Sequence, residues 1–273
     1  MQVKTKRRLW LIVKTIPVIY VLGGLALWYL QDSIFLHPIQ LRAGYVFKFT
    51  QPHEEVNVQV DQNRILNVVK FFPIDTSDVA GVVLYFHGNR ENINRYADCA
   101  DYFTRNGYEV WMPDYPGFGK STGKFREEHL YNDADLLYKL VNKRFAADKI
   151  VIYGRSLGTG VATELASRRP SKQLILETPY YSLPELAGAH FPFYPTHSML
   201  RFDFPLYQFL PQVKAPVTIF HGTNDGVIPY KHSLRLKPLL KKGDEYITLP
   251  KGRHNNLAVY SLFHEKIDSL LLR

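Results

Sequence analysis

Cysteine is almost missing from this 273-residue sequence, which contains only Cys99. A single cysteine excludes an intramolecular disulfide, a zinc site built from cysteines alone and a Cys-x-x-Cys redox pair. Cys99 lies in the amphipathic run 93–103, where we interpret it as a small buried apolar residue. The sequence also lacks low-complexity tracts, repeats of fixed period and Asn-x-Ser/Thr sequons. Nothing therefore indicates a disulfide scaffold, a repeat protein or a glycosylated secretory protein.

Acidic residues are absent from residues 1–30, although the whole chain carries a net charge of +9. Five of the excess positive charges lie in that segment, on Lys4, Lys6, Arg7, Arg8 and Lys14. The remaining charge is mild and forms no clustered basic stripe, so we predict no nucleic-acid partner. The sequence also shows no metal-ligand cluster and no nucleotide-binding glycine loop. We therefore predict no metal and no cofactor.

Residues 9–30 form the longest apolar stretch, with Ile16 to Leu30 as its cleanest part. A cleaved signal peptide lacks a suitable Ala-x-Ala site here, and a buried core helix would leave the basic cluster unexplained. We favour an uncleaved transmembrane helix, because a helix of this length spans roughly 33 Å. The positive-inside rule then places residues 1–8 in the cytoplasm and the rest of the protein outside it, in the periplasm if the source is Gram-negative.

After this segment, short apolar runs alternate with amphipathic ones. The run 82–86 is fully apolar, as in a strand that is buried on both faces, and 56–60 alternates like a half-exposed strand. Helical patterns cover 91–106, 130–145, 161–169, 233–240 and 257–271. This alternation predicts an α/β fold in which helices cover both faces of a mostly parallel sheet. We expect an anchor at residues 1–30 and one domain at residues 31–273.

The strand-like run 149–153 leads directly into Gly154-Arg155-Ser156-Leu157-Gly158, which precedes a helical pattern. Gly-x-Ser-x-Gly at a strand-to-helix junction is typical of the nucleophile elbow of α/β-hydrolases. The serine occupies a strained turn, and Gly154 and Gly158 keep Cβ atoms away from the neighbouring strand and helix. The sequence therefore predicts an α/β-hydrolase fold with Ser156 as the nucleophile.

In such hydrolases an acid and then a histidine follow the serine along the chain. Asp225 follows the apolar run 217–220, and His254 follows the next strand-like run. We predict these two as the orienting acid and the general base. Asp203 is the rival acid, but no clear strand precedes it. Among the ten histidines, His232 precedes the predicted helix after the acid and His264 lies within the last helix.

Two backbone N–H groups are expected to form the oxyanion hole. Leu157 follows the nucleophile at a helix N-terminus, and Asn89 lies in the loop after strand 82–86. Gly88 would let this loop approach the substrate closely. The segment 113–121 is interpreted as a rigid loop that also shapes one wall of the site.

Several motifs together resemble the Bem-type branch of the α/β-hydrolases. They are Gln-Asp-Ser-Ile-Phe-Leu-His-Pro at 31–38, His-Gly-Asn at 87–89, the glycine-rich loop from Asp114, the elbow, Glu-Thr-Pro-Tyr at 177–180 and His-Gly-Thr-Asn-Asp at 221–225. One departure is Pro116, where this branch often has arginine. The resemblance implies a serine hydrolase with an N-terminal anchor, near the lipid-thioester and acylglycerol hydrolases and more distantly the serine peptidases.

Residues 181–211 lie between two predicted strands and are rich in aromatic side chains. We expect a small cap over an apolar, acyl-binding groove. The favoured function is hydrolysis of acyl esters or thioesters, on small-molecule or lipid-linked substrates, through an acyl-enzyme. A peptidase or amidase that uses the same residues, and a non-catalytic scaffold on a hydrolase fold, remain the alternatives.

Overall fold

The computed structural model describes residues 2–272; the side chains of residues 2–9, 11 and 12, which include the basic cluster Lys4 to Arg8, lie outside the description. The strands are β1 (His37–Pro38), β2 (His53–Gln59), β3 (Ile65–Phe71), β4 (Gly81–Phe86), β5 (Arg90–Glu91), β6 (Tyr108–Pro113), β7 (Ile150–Arg155), β8 (Gln173–Glu177), β9 (Val217–Gly222) and β10 (Glu245–Leu249). The helices are α1 (Gln2–Phe35), α2 (Ile93–Tyr96), α3 (Asp101–Thr104), α4 (Glu127–Val141), α5 (Gly158–Arg168), α6 (Leu183–His190), α7 (Thr196–Met199), α8 (Leu206–Phe209), α9 (Tyr230–Leu234) and α10 (Ser261–Leu272).

The main sheet has eight strands in the order β10-β9-β8-β7-β4-β6-β3-β2. All neighbours from β10 to β6 are parallel, whereas β3 pairs antiparallel with both β6 and β2. The sequence of β4 is apolar because the strand is buried on both faces. Val82, Leu84 and Phe86 pack into one core, and Val83 and Tyr85 pack into the other. Helices α4 and α5 cover the first face and α10 covers the second. The predicted α/β-hydrolase fold with a mostly parallel sheet is confirmed.

All five predicted helices differ from the structure in their bounds, three of them through a 3₁₀ turn or an early end. The run 91–106 is two short helices, α2 and α3, joined by the 3₁₀ turn Ala97–Ala100. The last helix starts at Ser261, because Leu257–Val259 also forms a 3₁₀ turn. The helix expected at 233–240 is α9, which ends at Leu234. The spacing of apolar residues does not distinguish a 3₁₀ turn from an α-helix. The sequence therefore predicted that these helices exist better than it predicted where they begin and end.

The N-terminal helix α1 continues past the predicted end at Leu30 and includes residues 31–35. The extra turn is stabilised by Gln31, which is buried and hydrogen-bonded to the segment between β8 and β9. Within α1, Val13–Phe35 has a mean hydropathy of 1.6 and its apolar side chains are exposed. It is therefore a candidate membrane span and not a helix of the protein core.

The order of the strands brings the loops that carry the predicted site residues to one edge of the sheet. Strands β4, β7, β9 and β10 are parallel, so the loops after them leave from the same edge of the sheet. These loops carry Asn89, Ser156, Asp225 and His254. In open parallel sheets the ligand site lies beyond this edge.

Candidate active site

Ser156 occupies a strained turn between β7 and α5. Its φ of 52° is in the left-handed region, which is unusual for a residue with a side chain. The Ser156 N–H donates to the Glu177 carbonyl at 2.9 Å, which ties the turn to the neighbouring strand β8. A Cβ atom on Gly158 would lie 2.0 Å from the Phe86 carbonyl oxygen, and one on Gly154 would lie 2.6 Å from the Gly158 carbonyl oxygen. Only glycine at both positions lets the turn close this tightly.

Three side chains predicted from the sequence meet at this turn. The Ser156 hydroxyl lies 3.0 Å from His254 Nε2, and His254 Nδ1 lies 2.8 Å from Asp225 Oδ2. Asp225 is buried in the loop after β9, and His254 is nearly buried in the loop after β10. The hydroxyl, the imidazole and the carboxylate therefore form one continuous hydrogen-bonded chain.

The environment of Asp225 fixes its charge and orientation. Its Oδ1 accepts hydrogen bonds from the backbone N–H groups of Val227, at 2.8 Å, and Ile228, at 2.9 Å. Burial alone would raise the pKa of this carboxyl, but the hydrogen bonds from His254 and from the two N–H groups outweigh it and lower the pKa below its usual range. Asp225 is therefore ionised at neutral pH, with one oxygen committed to the backbone and the other to His254.

His221 is a neighbour of this acid that the sequence argument missed. Its Nε2 lies 3.0 Å from the Ile228 carbonyl oxygen and 3.4 Å from Asp225 Oδ2. Burial lowers the pKa of His221, so the ring stays neutral beside the carboxylate. Its position four residues before Asp225, at the end of β9, is the signal that could have revealed this contact.

The two predicted oxyanion donors line the same pocket as Ser156. Leu157 precedes the first turn of α5, and Asn89 follows Gly88 in the loop after β4. Neither backbone N–H donates a hydrogen bond to another residue in the described part of the chain. The side chain and the carbonyl of Asn89 are bound to the end of α1 and to the segment after it. The carbonyl accepts from the His37 N–H at 2.9 Å, and the side-chain amide donates to the carbonyl of Phe35, the last residue of α1.

The loop 113–121 supports the site from behind but does not line the pocket, contrary to our expectation that it forms a wall. Its Asp114 is fully buried and lies 3.3 Å from His87 Nε2. Its Tyr115 donates to the His87 carbonyl at 2.6 Å. The loop therefore positions His87 and the following Gly88, from the side away from the substrate.

The pocket above Ser156 has a volume of about 430 Å³ and mostly apolar walls. From the expected cap region, Phe191, Phe202 and Phe204 line it, whereas Phe193 is 83% exposed and points elsewhere. The last turn of α1 contributes Ile34 and Phe35, which sequence reasoning assigned no part in the site. Among the described residues, the lining includes three arginines and no carboxylate.

Arg155, the variable residue before the serine, is one of these arginines. It is held by Glu177 at 3.3 Å, and that carboxylate also accepts from the Tyr153 hydroxyl. The negative charge of Glu177 keeps the pKa of Arg155 above its usual range, although burial opposes it. Cys99 is buried, as predicted, and lies 3.6 Å from the same guanidinium.

The rival residues lie elsewhere. Asp203 is exposed between α7 and α8. His232 lies in α9 and accepts a hydrogen bond from the Tyr181 N–H at 3.2 Å. His264 forms a hydrogen bond with the Ala258 carbonyl. None of these three side chains lines the pocket. In the described residues we also find no group of histidine, cysteine and acidic side chains that could hold a metal ion.

Sequence comparisons find a matching family model and related proteins. The family model described as serine aminopeptidase, S33, matches residues 77–209. Alpha/beta hydrolase domain-containing protein 17C of Xenopus tropicalis is 30% identical over 195 residues, which cover 69% of this chain and 61% of that protein. An uncharacterized protein of Mycobacterium tuberculosis is 30% identical over 188 residues, which cover 68% of this chain and 67% of that protein. The chain belongs to the α/β-hydrolase superfamily. It spans about 60% of the length of the 17C relatives that it matches.

Solved structures support the same fold. An esterase of Pyrococcus furiosus superposes with a TM-score of 0.68 at 15% identity, over 88% of this chain and 97% of the esterase. Est1E of Butyrivibrio proteoclasticus, solved with ferulic acid bound, gives a TM-score of 0.61 at 20% identity. The superposition covers 77% of this chain and 95% of Est1E. At these identities the likeness establishes the fold alone.

Proposed function

We propose that this hydrolase cleaves acyl esters or thioesters by covalent catalysis at Ser156. The single observation that carries the proposal is the hydrogen-bonded chain from Ser156 through His254 to Asp225, at 3.0 and 2.8 Å. His254 acts as the general base and Asp225 holds its imidazole in the required tautomer. This geometry also disfavours a non-catalytic scaffold, which has no need of such an arrangement.

In the first step His254 Nε2 takes the proton of Ser156 as the hydroxyl oxygen attacks the acyl carbon. The negative charge that develops on the carbonyl oxygen is stabilised by the N–H groups of Asn89 and Leu157. The intermediate collapses to an acyl-enzyme, and His254 protonates the departing alcohol or thiol. Water then attacks the acyl-enzyme, with His254 again as the base.

The apolar pocket supports an acyl group as the part of the substrate that is recognised. The Bem-type resemblance points the same way, toward lipid-linked esters and thioesters. A second candidate is an aminopeptidase, because the matching family model is described by that activity. An enzyme of that class must hold a free ammonium group, which favours a carboxylate in the pocket. The described lining contains none, so we favour esters and thioesters over amides.

The anchor is part of the proposal. We infer that α1 holds the hydrolase in a membrane, with the N-terminus in the cytoplasm and residues 31–273 as a catalytic domain outside it. The support is the candidate span Val13–Phe35 and the basic residues that precede it. In a Gram-negative cell this domain would be periplasmic.

Labelling with a fluorophosphonate tests the nucleophile. The wild-type hydrolase should be labelled and Ser156→Ala should not, while both remain folded. Equal labelling of the two proteins would refute covalent catalysis at Ser156. A panel of p-nitrophenyl esters and aminoacyl p-nitroanilides separates the two candidates, and a preference for the anilides would favour the aminopeptidase.

Fusion reporters test the orientation. Alkaline phosphatase joined after residue 40 should be active, because this enzyme needs the oxidising environment outside the cytoplasm. A reporter that works only in the cytoplasm should be silent at the same point. The reverse result would refute the orientation, and complete release of the protein by carbonate would refute the anchor.

A further inference from the structure

The candidate span does more than precede the hydrolase domain, because α1 packs along residues 191–200, here called the cap loop. The rings of Tyr20 and Tyr194 stack at 4.8 Å with an interplanar angle of 5°. The Tyr20 hydroxyl donates to the Phe193 carbonyl at 2.8 Å. A Cβ atom on Gly23 would lie 2.3 Å from the Tyr194 hydroxyl, so glycine at this position allows the close contact. The middle of the span therefore has a specific partner in the cap.

The same contact continues to the end of α1. The buried Gln31 side chain accepts from the Arg201 N–H at 2.8 Å and donates to the Met199 carbonyl at 3.3 Å. One residue further, Asp32 forms an ion pair with the Arg201 guanidinium at 3.0 Å. This ion pair lies at the end of the cap loop, where the charged surface of the domain begins.

The composition of the cap loop suits a hydrocarbon environment. Residues 191–200 contain no aspartate, glutamate, lysine or arginine, and Phe193 exposes 83% of its surface. Backbone polar groups are costly in lipid unless they are satisfied within the protein. Six N–H groups of the cap loop donate to backbone carbonyls of the loop itself or of α6, and Pro192 and Pro195 have no N–H to satisfy. The Thr196 and Ser198 hydroxyls also donate to backbone carbonyls.

We propose that the cap loop is embedded in the bilayer beside α1, so that lipid hydrocarbon is the partner of its exposed apolar side. The proposal rests on the membrane anchoring proposed above. Tyr20 lies 15 residues before Phe35, which is about 22 Å along a helix. If α1 spans the bilayer, a loop that contacts Tyr20 must enter the hydrocarbon region and cannot remain in water.

The embedded loop also joins the bilayer to the active site. Phe191 lines the Ser156 pocket, together with Ile34 and Phe35 from the last turn of α1. These three residues also line a narrow apolar crevice between α1 and the cap loop. We infer that the acyl chain of the substrate is membrane-resident and reaches Ser156 between these two elements, without crossing water.

Fluorescence quenching by doxyl-labelled lipids tests the embedding without any use of catalysis. In a Cys99→Ala background, which removes the only native thiol, a bimane probe is attached at Phe193→Cys, Leu25→Cys or Ile74→Cys in vesicles. Leu25 reports on the span, and Ile74, 96% exposed in the loop after β3, is the matched apolar control. We expect quenching at positions 193 and 25 and none at 74.

Two other outcomes would refute the embedding, and one of them would also refute the anchor. Quenching at 25 without quenching at 193 refutes the embedding and leaves the anchor intact. Absence of quenching at both positions refutes the anchor and the embedding together. Neither result bears on the nucleophile, which the fluorophosphonate experiment tests separately.

The source of the substrate is tested with Phe193→Asp and its apolar control Phe193→Leu. A carboxylate in the hydrocarbon region shifts the insertion equilibrium about a hundredfold against the loop. Phe193→Asp should therefore slow hydrolysis of a long-chain ester presented in vesicles, and leave a water-soluble short-chain ester almost unaffected, since Phe193 lies outside the pocket. Equal losses on both esters, or no loss on either, would refute the membrane route.

Discussion

The sharpest prediction concerns Asp225→Asn, because the structure determines which way the new amide must face. The Asp225 Oδ1 position accepts two backbone N–H groups, at 2.8 and 2.9 Å, and Oδ2 faces His254 Nδ1 at 2.8 Å. An asparagine keeps both backbone bonds only when its oxygen takes the Oδ1 position. Its NH₂ group then donates to His254 Nδ1, so the ring proton moves to Nε2. In that tautomer His254 cannot accept the proton of Ser156.

The opposite orientation of the amide would restore the tautomer, but it sacrifices two hydrogen bonds to buried N–H groups. At about 1 kcal/mol each, this costs roughly 2 kcal/mol, so no more than about one molecule in thirty is competent. The lost carboxylate charge also no longer stabilises the imidazolium in the transition state. The corresponding change in a chymotrypsin-type protease lowers kcat about 10⁴-fold, and we expect about 10³- to 10⁴-fold here.

The assay is kcat/KM for a p-nitrophenyl ester, with the thermal unfolding midpoint measured in parallel. Asp225→Asn should unfold close to the wild-type temperature, because the asparagine retains both backbone bonds. Asp203→Asn is the matched control, and its activity should stay near that of the wild type because Asp203 is exposed away from the pocket. Full activity of Asp225→Asn, or a comparable loss in Asp203→Asn, would refute the assignment of the acid.

Three further predictions follow from neighbouring contacts. Gly158→Ala should lower both activity and the unfolding midpoint, the latter by about 5 °C or more, because its Cβ would lie 2.0 Å from the Phe86 carbonyl oxygen. Burial and a nearby arginine lower the pKa of His232 to about 4, so the folded state binds fewer protons than the unfolded state between about pH 6.5 and 4. The free energy of unfolding should therefore decrease as the pH is lowered from about 6.5 to 4, and denaturant titrations of His232→Asn should show a smaller decrease. A chain beginning at Gln31 should be soluble and retain esterase activity, whereas one beginning at Leu41 should lose about a hundredfold in kcat, because it lacks the segment that holds the oxyanion loop. Equal activity of these two chains would show that the segment has no such role.

Much of the fold could be predicted because its signals are local. An apolar run such as 82–86 can be recognised because each of its side chains enters one of two cores, and Gly154 of the elbow is required by its contact with Gly158, four residues along the chain. The proposed roles of Ser156, Asp225 and His254 were likewise assigned from the loops that follow strands. A parallel sheet necessarily brings such loops to one edge, so chain order alone predicted their meeting.

The contacts that escaped the sequence are those between segments distant in the chain, with no residue pattern of their own. Glu177 beside Arg155 and Asn89 beside the Phe35 carbonyl both depend on pairings that only the folded chain defines. The greatest of these omissions is the packing of α1 on the cap loop, because an apolar helix is predicted as a span whatever lies beside it. Hydropathy measures the transfer of single side chains and contains no information about which helix face has a protein partner.

That omission changes how the N-terminal helix should be understood. If α1 were only a tether, its length and sequence could vary while the pocket stayed intact. In the structure its last turn is a wall of the pocket, and the segment that follows binds the loop of Asn89, a proposed oxyanion donor. Under the anchoring that we propose, a helix connected in this way would fix the height and the orientation of the pocket relative to the bilayer, which a flexible linker could not do. With the anchoring and the activity that we propose, this geometry favours substrates whose acyl chain stays in the membrane while the ester or thioester bond is presented at its surface.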